Sequence, residues 1–214
     1  PVRYVVYSHW GADHGEGGAV FADTAEFVGH AETVAKIQAA ADPASPPPTI
    51  LVDEPMALEL GGKRVDLIPA NLSDTDDYLI IHYAPARVAM LVDLVQPKNA
   101  PFRDLLGHPD QMIERFQWMD DHLDFDVIVS GHALPHMLPT REDLREARQY
   151  LLDLSDAIEE ARQAGHVDAS PEMIAATRTA MEPQYGTWRR FDQFFDANVQ
   201  GMIGWRAGQN LRTT

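Results

Sequence analysis

The sequence predicts an α/β fold in which a β-sheet is covered by helices, followed by a helical stretch at the C-terminal end. Short apolar runs rich in β-branched residues occur in the first part of the chain, and polar residues follow where these runs end. Amphipathic helical patterns dominate after residue 139. In such layered folds functional groups collect on loops at one edge of the sheet, so we expect a site at strand ends.

The N-terminal part alternates between strand and helix signals. Its predicted elements, in chain order, are a strand at VRYVVYS, a turn and short helix at GEGGAVFAD, a strand at AEFVGH, a helix at AETVAKIQAAA and a loop at DPASPPPT. From Thr49 the apolar period changes to two, which indicates antiparallel strands. We expect one hairpin to turn at Gly61 and Gly62, and a second strand pair to turn at 84–86.

Helices dominate the rest of the chain, interrupted by one buried strand at FDVIVSGH. A helix is predicted at HPDQMIERFQWMDDHL, and others begin at Thr140, which forms a capping box with Asp143, at Ser170, and around Trp188. We therefore divide the chain into a sheet-containing domain, residues 1–139, and a helical C-terminal extension packed on it, residues 140–214.

Composition excludes several classes of partner. The chain has 17 Lys and Arg against 33 Asp and Glu, a formal net charge of −16, which would repel nucleic acids and anionic membranes. We expect its acidic runs at 74–77 and 120–121 to be solvated surface. With no cysteine, any metal ion must be bound through nitrogen and oxygen.

Metal-binding side chains recur directly after three predicted strands. Asp13 and His14 follow the first strand, Asp93 follows VAMLV, and His132 follows VIVSG. Two imidazoles and two carboxylates suit zinc, and also iron or manganese. The sequence therefore predicts a site for a divalent metal ion, with a further histidine, His9, in the first loop.

These segments resemble the metallo-β-lactamase-fold superfamily, and most closely its glyoxalase II-like hydrolases. HWGADH is similar to the family's first motif, His-x-His-x-Asp-His, with Gly11 at the position of the middle histidine. VAMLVDLVQP resembles the strand that ends on the metal-bridging aspartate, here Asp93, and DVIVSGHALP resembles the segment with the last histidine, here His132. The resemblance implies an αββα sandwich and a metal-dependent hydrolase.

One departure from the family pattern concerns the number of ions. The segment PANLSDTDDYLII, where the resemblance places a further histidine ligand, offers Asn71 and Leu72 instead. The family's first metal site then keeps only His9 and a share of Asp93. Its second site keeps its whole ligand set, which is Asp13, His14, Asp93 and His132. The resemblance therefore implies one divalent ion, most simply zinc. Without a second ion, Asp93 is free to orient or deprotonate the water and His9 to hydrogen-bond the nucleophile or the oxyanion, so we expect both to be catalytic residues.

Another departure lies at the start of the chain, because only one strand precedes His9 where the family has a β-rich segment. We expect this N-terminal segment either on a separate or cleaved chain, or replaced by a partner subunit that covers the exposed edge in a homo-oligomer.

The resemblance implies hydrolysis of a small-molecule substrate, which we expect to be an ester, a thioester or a lactone. Two other functions stay open. A catalytically degenerate protein of this fold could act as a binding or assembly module. A mononuclear iron oxidase or dioxygenase could use the same nitrogen and oxygen ligands.

Overall fold

The computed structural model describes residues 1–70, 76–105 and 108–208. The chain forms two compact units. The first unit comprises Pro1–Leu94 and Leu123–His132, and the second comprises Val95–His122 and Ala133–Thr214. The domain boundary predicted between residues 139 and 140 stays a prediction.

The first unit begins with a parallel sheet of three strands, β1 (Tyr4–Val6), β2 (Glu26–Gly29) and β3 (Ile50–Leu51), in the order β1-β2-β3. A short helix, α1 (Ala12–Gly15), follows the loop after β1, and helix α2 (Ala31–Ala40) follows β2. Because the three strands run in the same direction, the residues that follow them lie at one edge of the sheet.

A second sheet in the same unit has five strands. They are β4 (Met56–Leu60), β5 (Lys63–Pro69), β6 (Leu79–Tyr83), β7 (Val88–Met90) and β8 (Val127–Val129). Neighbouring strands are antiparallel except for β7 and β8, which are parallel. The predicted hairpin turn is confirmed, and both Gly61 and Gly62 have the positive φ angles that such a turn requires.

The two sheets pack face to face through apolar side chains. Val28 lies in β2 and Val52 directly after β3, whereas Leu67 and Leu79 lie in β5 and β6 of the second sheet. All four side chains are completely buried. Burial of each such side chain stabilises the fold by roughly 1.5–3 kcal/mol. On the other face of the first sheet, Ile37 of α2 packs against a cluster that includes Tyr7 and Phe27. The unit is thus layered as helix, sheet and sheet.

The second unit contains helices α3 (Pro109–His122), α4 (Arg141–Gln163), α5 (Pro171–Tyr185) and α6 (Phe191–Arg206). The capping box of Thr140 with Asp143 and the cap at Ser170 are confirmed. The expectation that the last helix carries Trp188 is wrong, because α6 begins at Phe191. No helix in the described part of the chain is long and apolar enough to span a bilayer.

Asp120 links α3 to α4 and corrects the expectation that the acidic run at 120–121 is merely solvated. Its carboxylate accepts hydrogen bonds from Arg145 Nε at 2.8 Å and Arg141 Nη1 at 3.0 Å. The hydrogen bond from Arg145 lowers the pKa of Asp120 below its usual range, with a further contribution from Arg141, and outweighs the opposing effect of burial. The ionised carboxylate therefore stabilises the folded state.

We expect Asp120→Asn to lower the melting temperature at pH 7, with a loss in unfolding free energy of about 1 kcal/mol or less because Arg145 is half exposed. Since folding lowers this pKa, the stabilisation is present above the unfolded value of about 3.9 and disappears as the pH falls through the folded value. Thermal melts from pH 7 to pH 2.5 test this, with Asp121→Asn as the matched charge control. A difference that persists undiminished at pH 2.5 would contradict the assignment.

Candidate metal centre

The loop that carries the first predicted ligands leaves the end of β1 and is held by both sheets. The amide of Tyr7 donates to the carbonyl of Val28 at 2.9 Å, which extends the pairing of β1 with β2. The carbonyl of Ser8 then accepts a hydrogen bond from the amide of Leu79 in β6 at 2.6 Å. His9 therefore emerges where the edges of the two sheets meet, and α1 directs the following Asp13 and His14.

Asp93 and His132 follow two neighbouring strands of the second sheet. Because β7 and β8 are parallel, the residues after them come out at the same edge, and the amide of Leu91 extends the pairing by donating to the carbonyl of Val129 at 2.9 Å. Asp93 has a φ of 67°, in the left-handed region that a non-glycine residue rarely adopts. Such strain persists only where surrounding contacts fix the backbone, and it is common at functional sites.

The structure brings all five predicted site residues together. Asp93 Oδ2 lies 2.9 Å from His14 Nε2 and 3.4 Å from His9 Nε2, and Asp93 Oδ1 lies 3.1 Å from His132 Nε2. Asp13 Oδ2 lies 3.4 Å from His14 Nε2 and 3.3 Å from His132 Nε2. Nitrogen and oxygen atoms from three separate chain segments therefore face a common point.

Two overlapping groups of donors could hold a metal ion. One consists of His9, His14 and Asp93, the other of Asp13, His14 and His132, and within each group the donor atoms lie within 4.8 Å of one another. Residues 1–70, 76–105 and 108–208 contain no further group of this kind and include all nine histidines of the chain. Asn71 and Leu72, which stand where the resemblance places a further histidine ligand, lie outside the described residues.

The electrostatics of Asp93 suit a metal ligand. Burial by itself would raise the pKa of Asp93, but the hydrogen bond from His9 and the adjacent His14 and His132 outweigh it, so the pKa lies below its usual range. Although His132 is 3.1 Å away, the pair is not aligned as a hydrogen bond, and Asp93 Oδ1 is buried without a hydrogen-bond partner. A buried carboxylate oxygen without a hydrogen bond is costly, so these residues fit a bound cation.

The centre is closed on one side and open on the other. The side chains of His9 and His14 are only 8% and 11% exposed, whereas those of His132 and Asp13 are 47% and 63% exposed. A small molecule can therefore approach the donors from the side of His132 and Asp13. Catalytic metal sites in general keep such an open side, whereas structural sites are enclosed.

Gly131 makes room for the donors. A Cβ atom at this position would lie 2.8 Å from Val92 Cγ1, 3.1 Å from His14 Cε1 and 3.2 Å from Asp93 Oδ1. The branched Val92 side chain has little freedom to move away. The absence of a side chain at Gly131 therefore allows two of the predicted ligands to approach each other.

Sequence reasoning missed Asp77. The acidic run at 74–77 was expected to be solvated, but Asp77 is completely buried and accepts hydrogen bonds from the amide of Trp10, from Thr33 and from Lys36. The sequence offered one indication that Asp77 is buried, which is its position directly before the apolar residues of β6. Trp10 itself packs against the Tyr7 cluster, so its ring anchors the loop.

Solved structures show which known fold this arrangement belongs to. The chain superposes on a metallo-β-lactamase from Pontibacter korlensis with a TM-score of 0.59 and 17% identity, over 71% of this chain and 70% of that one. For a metallo-β-lactamase from Hirschia baltica the TM-score is 0.54 and the identity 11%, over 70% and 68% of the two chains. The chain has the metallo-β-lactamase fold. This confirms the predicted fold class, while the glyoxalase II-like branch stays a prediction.

The whole chain also superposes on the stereoselective inverting sec-alkylsulfatase Pisa1 from Pseudomonas sp., with a TM-score of 0.65 and 12% identity. The match covers 43% of that enzyme, so this chain spans less than half of its length. No protein-family model and no curated protein sequence matches the chain. At these identities the likeness establishes the fold, and the activity has to be argued from the site.

We expect Gly131→Ala to weaken binding of a divalent ion such as Co²⁺ by about tenfold or more, because its new methyl group displaces His14 or Asp93. Gly29→Ala is the control, since its Cβ would also lie 2.8 Å from a neighbouring side chain, that of Pro48, but close to none of the predicted ligands. Isothermal titration with Co²⁺ measures both affinities. Equal affinities for Gly131→Ala and the unmodified chain would show that the two ligands tolerate the added atom.

Proposed function

We propose that this chain is a metal-dependent hydrolase that holds one divalent ion and cleaves a small ester, thioester or lactone. The observation that carries the proposal is the mutual approach of Asp13, His14, Asp93 and His132, within which Asp93 Oδ1 is buried without a hydrogen bond. The solved structures that share the fold, which are named metallo-β-lactamases and an alkylsulfatase, support a hydrolytic reaction.

The donor set favours one ion over two. Two imidazoles and two carboxylates form a complete site, and their oxygen and nitrogen atoms suit zinc, with iron or manganese as alternatives. A second ion could be coordinated only by His9 and by Asp93, which would then have to bridge the two ions. One of the two side chains that its ligand set lacks would stand at Gly11, where even a Cβ would lie 3.2 Å from His14 Cδ2 and 3.3 Å from Asp13 Oδ1.

The ion, when bound, lowers the pKa of a coordinated water to about 7 and polarises the substrate carbonyl. Asp93 is ionised at neutral pH, as an aspartate ordinarily is, and the lowering of its pKa makes it a weaker base, so it is better suited to orienting the attacking water than to holding its proton. A single carboxylate can serve both the ion and the water, since its two oxygens face different histidines.

His9 supplies a hydrogen-bond donor beside this carboxylate. Its Nδ1 lies 3.2 Å from Ser8 Oγ and its Nε2 lies 3.4 Å from Asp93 Oδ2. In the tautomer protonated at Nε2, the hydroxyl of Ser8 donates to Nδ1 and the ring donates towards Asp93. From there His9 can donate to the nucleophile or to the oxyanion that develops on the substrate, without binding the ion itself.

Metal content and turnover of matched variants test the proposal. We expect about one ion per chain by elemental mass spectrometry, and loss of the ion in the Asp13→Ala, His14→Ala double variant. Asp93→Ala and His132→Ala should lose both ion and turnover. His9→Ala should keep the ion and lower kcat by roughly 10²- to 10³-fold, the usual cost of removing one transition-state donor. His136→Ala, which removes an exposed histidine outside both donor groups, is the control.

The substrate panel should contain esters, thioesters and lactones, together with a secondary alkyl sulfate because the chain superposes over its whole length on an alkylsulfatase. Full activity of His132→Ala would contradict the proposed mechanism. If the unmodified chain contains no metal and the double variant folds as stably as it does, the results would instead point to a binding or assembly module. Iron content with oxygen consumption would point to an oxidase or dioxygenase.

A further inference from the structure

We infer that the segment Asp77–Leu79 is a positioning segment, which holds both ligand-bearing loops in place although it belongs to neither donor group. This inference rests on the proposed function, because positioning the two loops matters only if they hold a metal ion. The two loops are the first loop, residues 8–14, and the loop after β7 that carries Asp93. Each residue of the positioning segment contacts at least one of these loops, and each contact is buried or partly buried.

Asp77 ties the first loop to helix α2. Its Oδ2 accepts from the backbone amide of Trp10 at 2.8 Å and from Thr33 Oγ1 at 2.7 Å, and its Oδ1 accepts from Lys36 Nζ at 2.8 Å. Trp10 lies directly after His9, so the carboxylate fixes the backbone between His9 and Gly11. A completely buried carboxylate is tolerated only when it is paired in this way.

Tyr78 connects the two loops with one side chain. Its ring stacks on that of His9 with the ring centroids 5.5 Å apart and the planes inclined by 20°. Its hydroxyl donates to the carbonyl of Val92 at 2.6 Å. Val92 immediately precedes Asp93, whose left-handed φ needs support from outside the loop. The buried Tyr78 therefore holds one site residue by its ring and the backbone next to another by its hydroxyl.

Leu79 completes the segment through its backbone, because its amide donates to the carbonyl of Ser8 at 2.6 Å. Together these contacts fix the backbone on both sides of His9 and the backbone at Val92, directly before Asp93. Groups that orient metal ligands without touching the ion commonly change metal affinity or activity 10- to 100-fold when they are removed. We therefore expect the positioning segment to set the geometry of the centre, in addition to stabilising the fold.

Co²⁺ is a suitable probe, since its visible absorption reports the geometry of its ligands. We expect Asp77→Ala to raise the dissociation constant for Co²⁺ about 10- to 100-fold and to alter the spectrum. Asp77→Asn should recover part of the affinity, because the amide oxygen can still accept from Trp10. Tyr78→Phe keeps the stacking on His9 but loses the bond to Val92, so its spectrum should change with little change in folding.

Leu154→Ala is the matched control. Leu154 is completely buried on helix α4 and belongs to neither sheet, so its truncation lowers the melting temperature without removing a contact to the first loop or to Asp93. It should bind Co²⁺ with the affinity and spectrum of the unmodified chain. If Asp77→Ala does not fold, Tyr78→Phe and Thr33→Val decide the question, because each removes a single hydrogen bond.

Unchanged affinity and spectrum in the folded Asp77 and Tyr78 variants would overturn the inference while leaving the proposed metal site intact. If the unmodified chain does not bind Co²⁺, the metal site itself fails. Hydrogen exchange at the Trp10 amide, followed by NMR, then decides on positioning. Faster exchange in Asp77→Ala than in Leu154→Ala supports it, and equal exchange rates in the two variants overturn it.

Discussion

The centre depends on the packing of two sheets against each other, because neither sheet carries a complete set of donors. His9, Asp13 and His14 follow β1 of the parallel sheet, whereas Asp93 and His132 follow β7 and β8 of the other. The apolar contacts between the sheets bring these edges together, and the hydrogen bond from Leu79 to Ser8 connects them directly beside His9. A shift of one sheet against the other would separate the donors even if every side chain kept its conformation.

Charge balance gives a second constraint on the same place. Asp13 and Asp93 together supply two negative charges, which match one divalent ion when the three histidines are neutral. With a formal net charge of −16 the chain has many other carboxylates, but in the described residues only these two belong to a group of three or more convergent donors. Acidity alone therefore does not create a site. What matters is the position of the carboxylates beside imidazoles at strand ends.

Much of this could be read from the sequence, because the signals were local. The hairpin at Gly61 and Gly62 and the caps at Thr140 and Ser170 follow from residue type and short-range spacing. The five convergent residues could be named because each follows a predicted strand and lies in a segment that resembles a known family. Residues whose function depends on a distant partner could not be read in this way. Nothing near Asp77 in the chain indicates that it faces Trp10, 67 residues away, or that Gly131 must leave space for His14. Burial of a charge is decided by tertiary partners that periodicity does not encode.

The unequal exposure of the donors has a consequence for exchange of the ion. His14 and Asp93 lie on the enclosed side, whereas Asp13 and His132 face solvent with about half or more of their side-chain surface. A chelator arriving from solution would meet the exposed pair first and displace it before it reached the enclosed pair. If the proposed ion is held by all four side chains, its lifetime would be set by the two exposed ones, whereas its affinity would depend on all four.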